Sequence, residues 1–150
     1  MLRLLRIRLG SLGRVRVSRS VRVARGARVE VARGARVVLF PGVQLGPDSR
    51  ISALGGSVEI GPGARLGERA IVVSHAGVTI GARAVVGDWA AVSDAAPGFT
   101  DAERPIRVQP VAAMPLVVGD DAVIGLHAAV DASVAPGAVV APYAASARHA

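Results

Sequence analysis

The chain has 150 residues, 51% of them hydrophobic, with a mean hydropathy of +0.46 and no cysteine. This composition excludes a disordered protein, a disulfide framework, thiol chemistry and a cysteine-based metal site, and no run of about 18 apolar residues exists to form a membrane-spanning helix. The net charge is +7, every basic residue is arginine, and eleven of the eighteen lie in the first 36 positions, where Glu30 alone opposes them.

In Met1 to Leu12, the residues Leu2, Leu5, Leu9 and Leu12 fall at helical spacing and predict a short N-terminal capping helix; strand alternation through Arg6-Ile7-Arg8-Leu9 is the rival reading. Arg3, Arg6 and Arg8 interrupt the apolar core that a signal peptide needs, so the expectation is a cytoplasmic bacterial protein. From Val15 to about Ala53, arginine alternates with valine, as in Val15-Arg16-Val17, Val21-Arg22-Val23 and Arg28-Val29-Glu30-Val31. That is the strand pattern of apolar inside and charged outside. Two readings stay open: a solvated outer face, or a basic face that holds nucleic acid, anionic lipid or an acidic partner through salt-sensitive attraction. With no aromatic residue before Phe40 there is no stacking platform for single strands, so nucleic acid is the weaker partner. Val23 to Val29 and Val31 to Val37 are duplicates spaced by eight, two more than the beat that follows, which predicts wider corners in this part.

From Leu45 the chain settles into a beat of six. An aliphatic residue, often followed by glycine, precedes a small residue four places on: Ile60-Gly61 and Ala64, Leu66-Gly67 and Ala70, Val72 and Ala76, Ile80-Gly81 and Ala84, Val86-Gly87 and Ala90. After an interruption it returns as Val118-Gly119 and Ala122, then Ile124-Gly125 and Ala128. A strict six fits neither helix nor plain strand but fits a solenoid, each hexad one side of a triangular coil and about 18 residues one turn. The glycines are expected where the chain bends through angles that a Cβ resists. The beat slips near Gly55-Gly56 and between Val72 and Ile80. An inserted loop at about 93–115 interrupts it, rich in proline and aspartate; loops of that length are uncommon in compact domains and often functional. The coils end near Val139-Val140, leaving residues 141–150 as a tail of a single domain, 1–150.

The interruption carries the most specific pattern. Val92-Ser93-Asp94, then Gly98-Phe99-Thr100-Asp101 and Pro105-Ile106-Arg107-Val108-Gln109, together with the hexads, resemble the hexapeptide-repeat acyltransferases of sugars and small molecules over roughly residues 15 to 140. The resemblance implies an all-β, left-handed parallel β-helix, an exception to the usual right-handed crossover. It also implies a homotrimer, an acyl-CoA donor such as acetyl-CoA, and a loop that reaches the neighbouring subunit to build the active site. On that basis Asp101, Glu103, Arg104 and Arg107 are candidate substrate-binding residues, or inter-subunit ion pairs, and Gly125, Ala128 and Gly137 are candidate coenzyme A contacts. Pro97 stands where the family places its catalytic histidine, and the C-terminus is shorter than the coils that help hold coenzyme A in the family.

Acyl transfer to a hydroxyl needs a base for the acceptor's proton and a donor for the oxyanion, and histidine suits the first task. Of His75, His127 and His149, His75 is the preferred substitute: it precedes Asp94 by 19 residues, about one turn, so that the carboxylate can orient its imidazole. His75 and His127 each also read as a plain exposed corner residue, and His149 falls in the tail. No metal constellation stands out, Gly61-Pro62-Gly63 lacks the lysine of a phosphate loop, and Asp120-Asp121 reads as solvated. Three functions follow: an acyltransferase with a remodelled site, a silent scaffold or partner protein, and an anion binder using the arginine-rich coils.

Overall fold

The computed structural model of the chain describes residues 6–9, 14–96 and 112–146. They form parallel strands wound as a β-solenoid with three faces, consistent with the left-handed parallel β-helix, and no helix occurs among them. The first face stacks Arg6–Leu9, Arg28–Val31, Arg50–Ala53, Ile71–Ser74, Ala91–Ser93, Ala129–Val130 and Ala145–Ser146. The second stacks Arg14–Val17, Arg36–Leu39, Ser57–Ile60, Gly77–Ile80 and Leu116–Val118. The third stacks the two-residue strands Arg22–Val23, Gln44–Leu45, Arg65–Leu66, Val85–Val86, Val123–Ile124 and Val139–Val140.

The expected capping helix is overturned where the chain is described. Arg6–Leu9 is a strand in register with Arg28–Val31, because the sheet supplies the backbone partners that a short isolated helix would have to find within itself. The rest of the expected cap, residues 1–5 and 10–12, lies outside the described residues.

Apolar side chains alternate inward and stack in columns. Val29, Ile51, Val72, Val92 and Val130 form one, Leu39, Ile60, Ile80 and Val118 a second, and Leu45, Leu66, Val86 and Ile124 a third, all nearly without solvent exposure. Each column is a row of fitted aliphatic contacts, which is why no aromatic ring is buried among the described residues.

Coil length is not constant at 18. First-face partners are 22 residues apart from Arg6 to Arg28 and from Arg28 to Arg50, then 21 to Ile71 and 20 to Ala91. The gap widens to 38 across the insertion and ends at 16 between Ala129 and Ala145. The duplicate spaced by eight reflects four-residue strands on the first two faces against two on the third, and its corner 32–35 is also wider than the three- and two-residue corners that follow on the same edge.

Two of the three edges turn in the same way at every coil. Between the second and third faces, and between the third and first, each corner has four residues, closed by a hydrogen bond from the fourth N–H to the first carbonyl, as in Ala64 to Gly61 and Ala90 to Gly87. From Gly26 onward the third residue takes positive φ, as at Gly63 (72°) and Trp89 (59°). Proline occupies the second place at Pro41, Pro47, Pro62, Pro136 and Pro142, the arrangement of a type II turn. The edge between the first and second faces instead shortens, from residues 32–35 to 54–56 to 75–76, before the chain leaves the solenoid at the next coil.

The glycine that follows each aliphatic residue serves a different need from the one expected. Gly61, Gly67, Gly81, Gly87, Gly119 and Gly125 lack positive φ; a Cβ there would collide with the coil stacked above. At Gly87 it would lie 2.7 Å from the Ile124 carbonyl oxygen. The left-handed position comes two residues later and is often not glycine at all.

Gly87→Ala is expected to cost about 1–3 kcal/mol of unfolding free energy, since the backbone above has to shift. Ser49 carries a buried hydroxyl with no partner among the described residues, at a corner position held by Ala27 and Ala70 in the flanking coils. Ser49→Ala is therefore expected to gain up to about 1 kcal/mol. Urea unfolding of the two variants checks both signs.

Candidate functional site

The shortening edge converges on Asp94. One inward column of the first face runs Val31, Ala53, Ser74 and then Asp94, so a carboxylate occupies the place of a core side chain, with 0% exposure. Such a group needs hydrogen bonds to offset its desolvation. The two-residue corner below supplies them, since it is too short to pair its own N–H groups. His75 N donates to Asp94 Oδ1 at 2.7 Å, and Ala76 N and Gly77 N donate to Oδ2 at 2.7 and 2.6 Å. The Ser74 hydroxyl lies 3.2 Å from Oδ2 and 3.1 Å from the Ser57 carbonyl, and its proton serves one of them at a time. Burial pushes the Asp94 carboxyl up, but the donors from Gly77, His75, Ala76 and Ser74 outweigh it and hold the group below the ordinary carboxyl range. The arrangement is a backbone nest closed on an internal carboxylate.

The edge can shorten because nothing projects from the corner beneath. A Cβ on Gly56 would lie 2.3 Å from the Ala76 carbonyl carbon, and one on Gly55 would lie 2.8 Å from the His75 carbonyl oxygen.

The structure brings His75 and Asp94 together on one corner of adjacent coils. His75 Nδ1 is 3.8 Å from Asp94 Oδ1, beyond hydrogen-bonding distance. It is buried with no hydrogen-bond partner among the described residues, although the side chain is 34% exposed. The exposed part of the ring is thus away from Nδ1. This corner is also the root of the insertion. Ala95–Ala96 pairs antiparallel with Ala112–Ala113, and Met114 N donates to the Asp94 carbonyl at 3.1 Å. His75 therefore stands beside the base of the arm, with a carboxylate behind it.

Other candidates are placed elsewhere. Asp101, Glu103, Arg104 and Arg107, with Pro97 and His149, lie outside the described residues. Gly125 and Ala128 close one corner, with Ala128 N donating to the Gly125 carbonyl at 3.1 Å; Gly125 abuts Pro142, Ala128 is interior, and Gly137 sits on an open corner one coil on. His127 is stacked between Trp89 and Tyr143, at centroid distances of 5.6 and 5.1 Å. The Arg69 guanidinium lies 4.7 Å from the Trp89 ring centre, so the left-handed positions of four successive coils form one ladder. Asp120 accepts from Ala82 N at 2.8 Å and Asp121 pairs with Arg83 at 2.7 Å, so both are tied to the coil below. Among the described residues no cluster of three or more His, Cys, Asp or Glu could hold a metal ion.

Sequence reasoning paired His75 with Asp94 but missed that the carboxylate grips backbone N–H groups first. The available signal was the slip of the six-beat between Val72 and Ile80. The ladder also had a signal: Arg69, Trp89, His127 and Tyr143 each stand just before the small residue of a hexad.

Residues 57–87 match the family model described as the hexapeptide repeat of succinyl-transferase, which supports the hexapeptide-repeat reading of that stretch. No curated protein and no solved structure matches the chain.

Because the folded value of Asp94 is depressed, its contribution to stability is full above about pH 4 and is lost as pH falls through the depressed value. Asp94→Asn removes the charge and sets an NH2 group against at least one of the three backbone N–H donors, and is expected to cost about 3 kcal/mol near neutrality. It is also expected to remove that part of the acid limb. Denaturant unfolding across the acid-to-neutral range checks both effects.

Proposed function

We propose that this chain is an acyltransferase of the hexapeptide-repeat type, moving an acyl group from a coenzyme A thioester to a hydroxyl of a sugar or small metabolite, with His75 as the base. The observation that carries the reading is the His75 imidazole standing 3.8 Å from the buried Asp94 carboxylate, on the corner from which the insertion leaves. The repeat match over residues 57–87 supports the scaffold.

In this reading the solvent-facing part of the His75 ring takes the acceptor's hydroxyl proton as that oxygen bonds to the thioester carbonyl carbon. The C–S bond then breaks, and the imidazolium returns the proton to the leaving thiolate. Asp94 Oδ1 stands 3.8 Å from the buried Nδ1 on the other side of the ring, and in this reading the two close to a hydrogen bond that orients the imidazole only when substrate is bound. The acyl-CoA donor, the homotrimer and the acceptor site built from Asp101, Glu103, Arg104 and Arg107 remain part of the proposal.

One observation favours a second reading, a silent scaffold or partner protein. Both Asp94 oxygens already accept backbone hydrogen bonds, so the carboxylate has a complete architectural role without any chemistry.

Calorimetric titration with acetyl-CoA separates the two. Binding at one per protomer is expected, together with turnover that falls by about 10²–10⁴ in His75→Ala while the unfolding midpoint stays in place. Failure of the folded protein to bind acetyl-CoA favours the scaffold. Unchanged turnover in His75→Ala removes that residue as the base.

A further inference from the structure

On each face, the outward positions of the early coils carry arginine in register. On the first face Arg28 aligns with Arg50, and Glu30 pairs with Arg50 at 2.9 Å. On the second, Glu59 meets Arg36 at 3.4 Å. The third face carries no carboxylate on any of its strands. Arg22, Gln44 and Arg65 stand in one register column, and a neutral amide occupies the rung between the two charges. Neither Arg22 nor Arg65 has a carboxylate partner among the described residues. The same three side chains line a shallow groove of about 470 Å³ that runs along the solenoid axis to Val85 and Asp88. Leu45, Leu66 and Val86 of its lining are buried, and Gly46, Gly67 and Gly87, which follow them, add no side chains at its edge.

We infer that this groove binds a linear acidic polysaccharide in which carboxylated sugars alternate with neutral ones. The two arginines are two rungs apart, about 9–10 Å along the axis, so the ligand is elongated and carries single anions at that period. A planar guanidinium grips a carboxylate with two parallel hydrogen bonds. Gln44 both donates and accepts, which suits the hydroxyl or amide groups of a neutral sugar between the charges. A chain with an anion on every unit would set one against Gln44 with no cation to meet it. Nucleic acid would need aromatic faces to stack on, and none lines the groove. Asp88 keeps one oxygen on Glu68 N at 2.9 Å and sets negative charge at the far end, which fixes polarity: anions sit over Arg22 and Arg65, and a neutral part of the glycan lies over Val85. The site uses neither His75 nor Asp94 and goes beyond the acyltransferase reading.

The test is calorimetric titration of the full chain with a short oligosaccharide of alternating glucuronate and N-acetylglucosamine, at low and moderate salt. Binding is expected, weakened at least about tenfold in Arg22→Gln and in Arg65→Gln. Gln44→Glu, which supplies the missing carboxylate, is expected to weaken it as much without loss of fold. Arg28→Gln and His75→Ala are expected to leave it unchanged, so failure here is separable from failure of the catalytic reading. Absence of binding, or an equal loss in Arg28→Gln, overturns the site. Tighter binding of oligogalacturonate or oligothymidylate overturns the choice of ligand.

Discussion

Adjacent chains in a sheet lie about 4.8 Å apart, and in this molecule that single distance governs strands and corners alike, because each coil hydrogen-bonds to the next along its whole perimeter. At Gly61, Gly67, Gly81 and Gly87 a Cβ would enter the coil above, so side chains are removed there. The bend itself is made two residues later, where Arg69, Arg83, Trp89, Asp121, His127 and Tyr143 accept a backbone conformation that disfavours them. Their side chains then project at the stacking interval. Unfavourable backbone is offset by a ladder of rings and by the Arg83–Asp121 pair, an exposed bridge of small individual worth.

The same spacing accounts for Asp94. As the edge between the first and second faces contracts to residues 75–76, it loses the residues that could satisfy its own N–H groups. The acceptor has to come from the coil above, and a carboxylate with two oxygens meets three backbone donors at once. The candidate chemistry therefore stands where the architecture needs a buried anion in any case. An imidazole on that corner lies within the field of the carboxylate without having to compete for its lone pairs.

The solenoid was legible because a core column selects for residue type at a fixed interval, and Ile60, Leu66, Ile80 and Val86 report that interval directly. Coil length was less legible. A four-residue strand and a wider corner lengthen the repeat equally, and Arg28–Val31 could be read either way until its register was seen. The pairing of His75 with Asp94 came from counting residues, which locates corners but not atoms. Whether a carboxylate meets a ring or a backbone depends on how tightly the corner turns, and that turn is set by Gly55 and Gly56 one coil below. The strand at Arg6–Leu9 was hidden because leucines at helical spacing and arginines in alternation share the same few residues. Pairing with Arg28–Val31, a contact 22 residues away, decides between them. The groove arginines were visible as charges, but their isolation from carboxylates is a property of faces, and faces exist only once the chain is wound.

Two edges of the prism turn in four residues at every described coil, while the third takes four, three, two and then the insertion, which leaves and returns through the antiparallel pair Ala95–Ala96 and Ala112–Ala113. Chain length is thus negotiable along a single line of the molecule. A residue gained or lost elsewhere would rotate every later side chain out of its column, whereas along this line it is absorbed locally. That line is therefore where the fold would accept an inserted or deleted residue, or a segment grafted by design, at least cost. New loops would emerge side by side from one edge, in the order of the coils, with His75 already on the corner from which they grow.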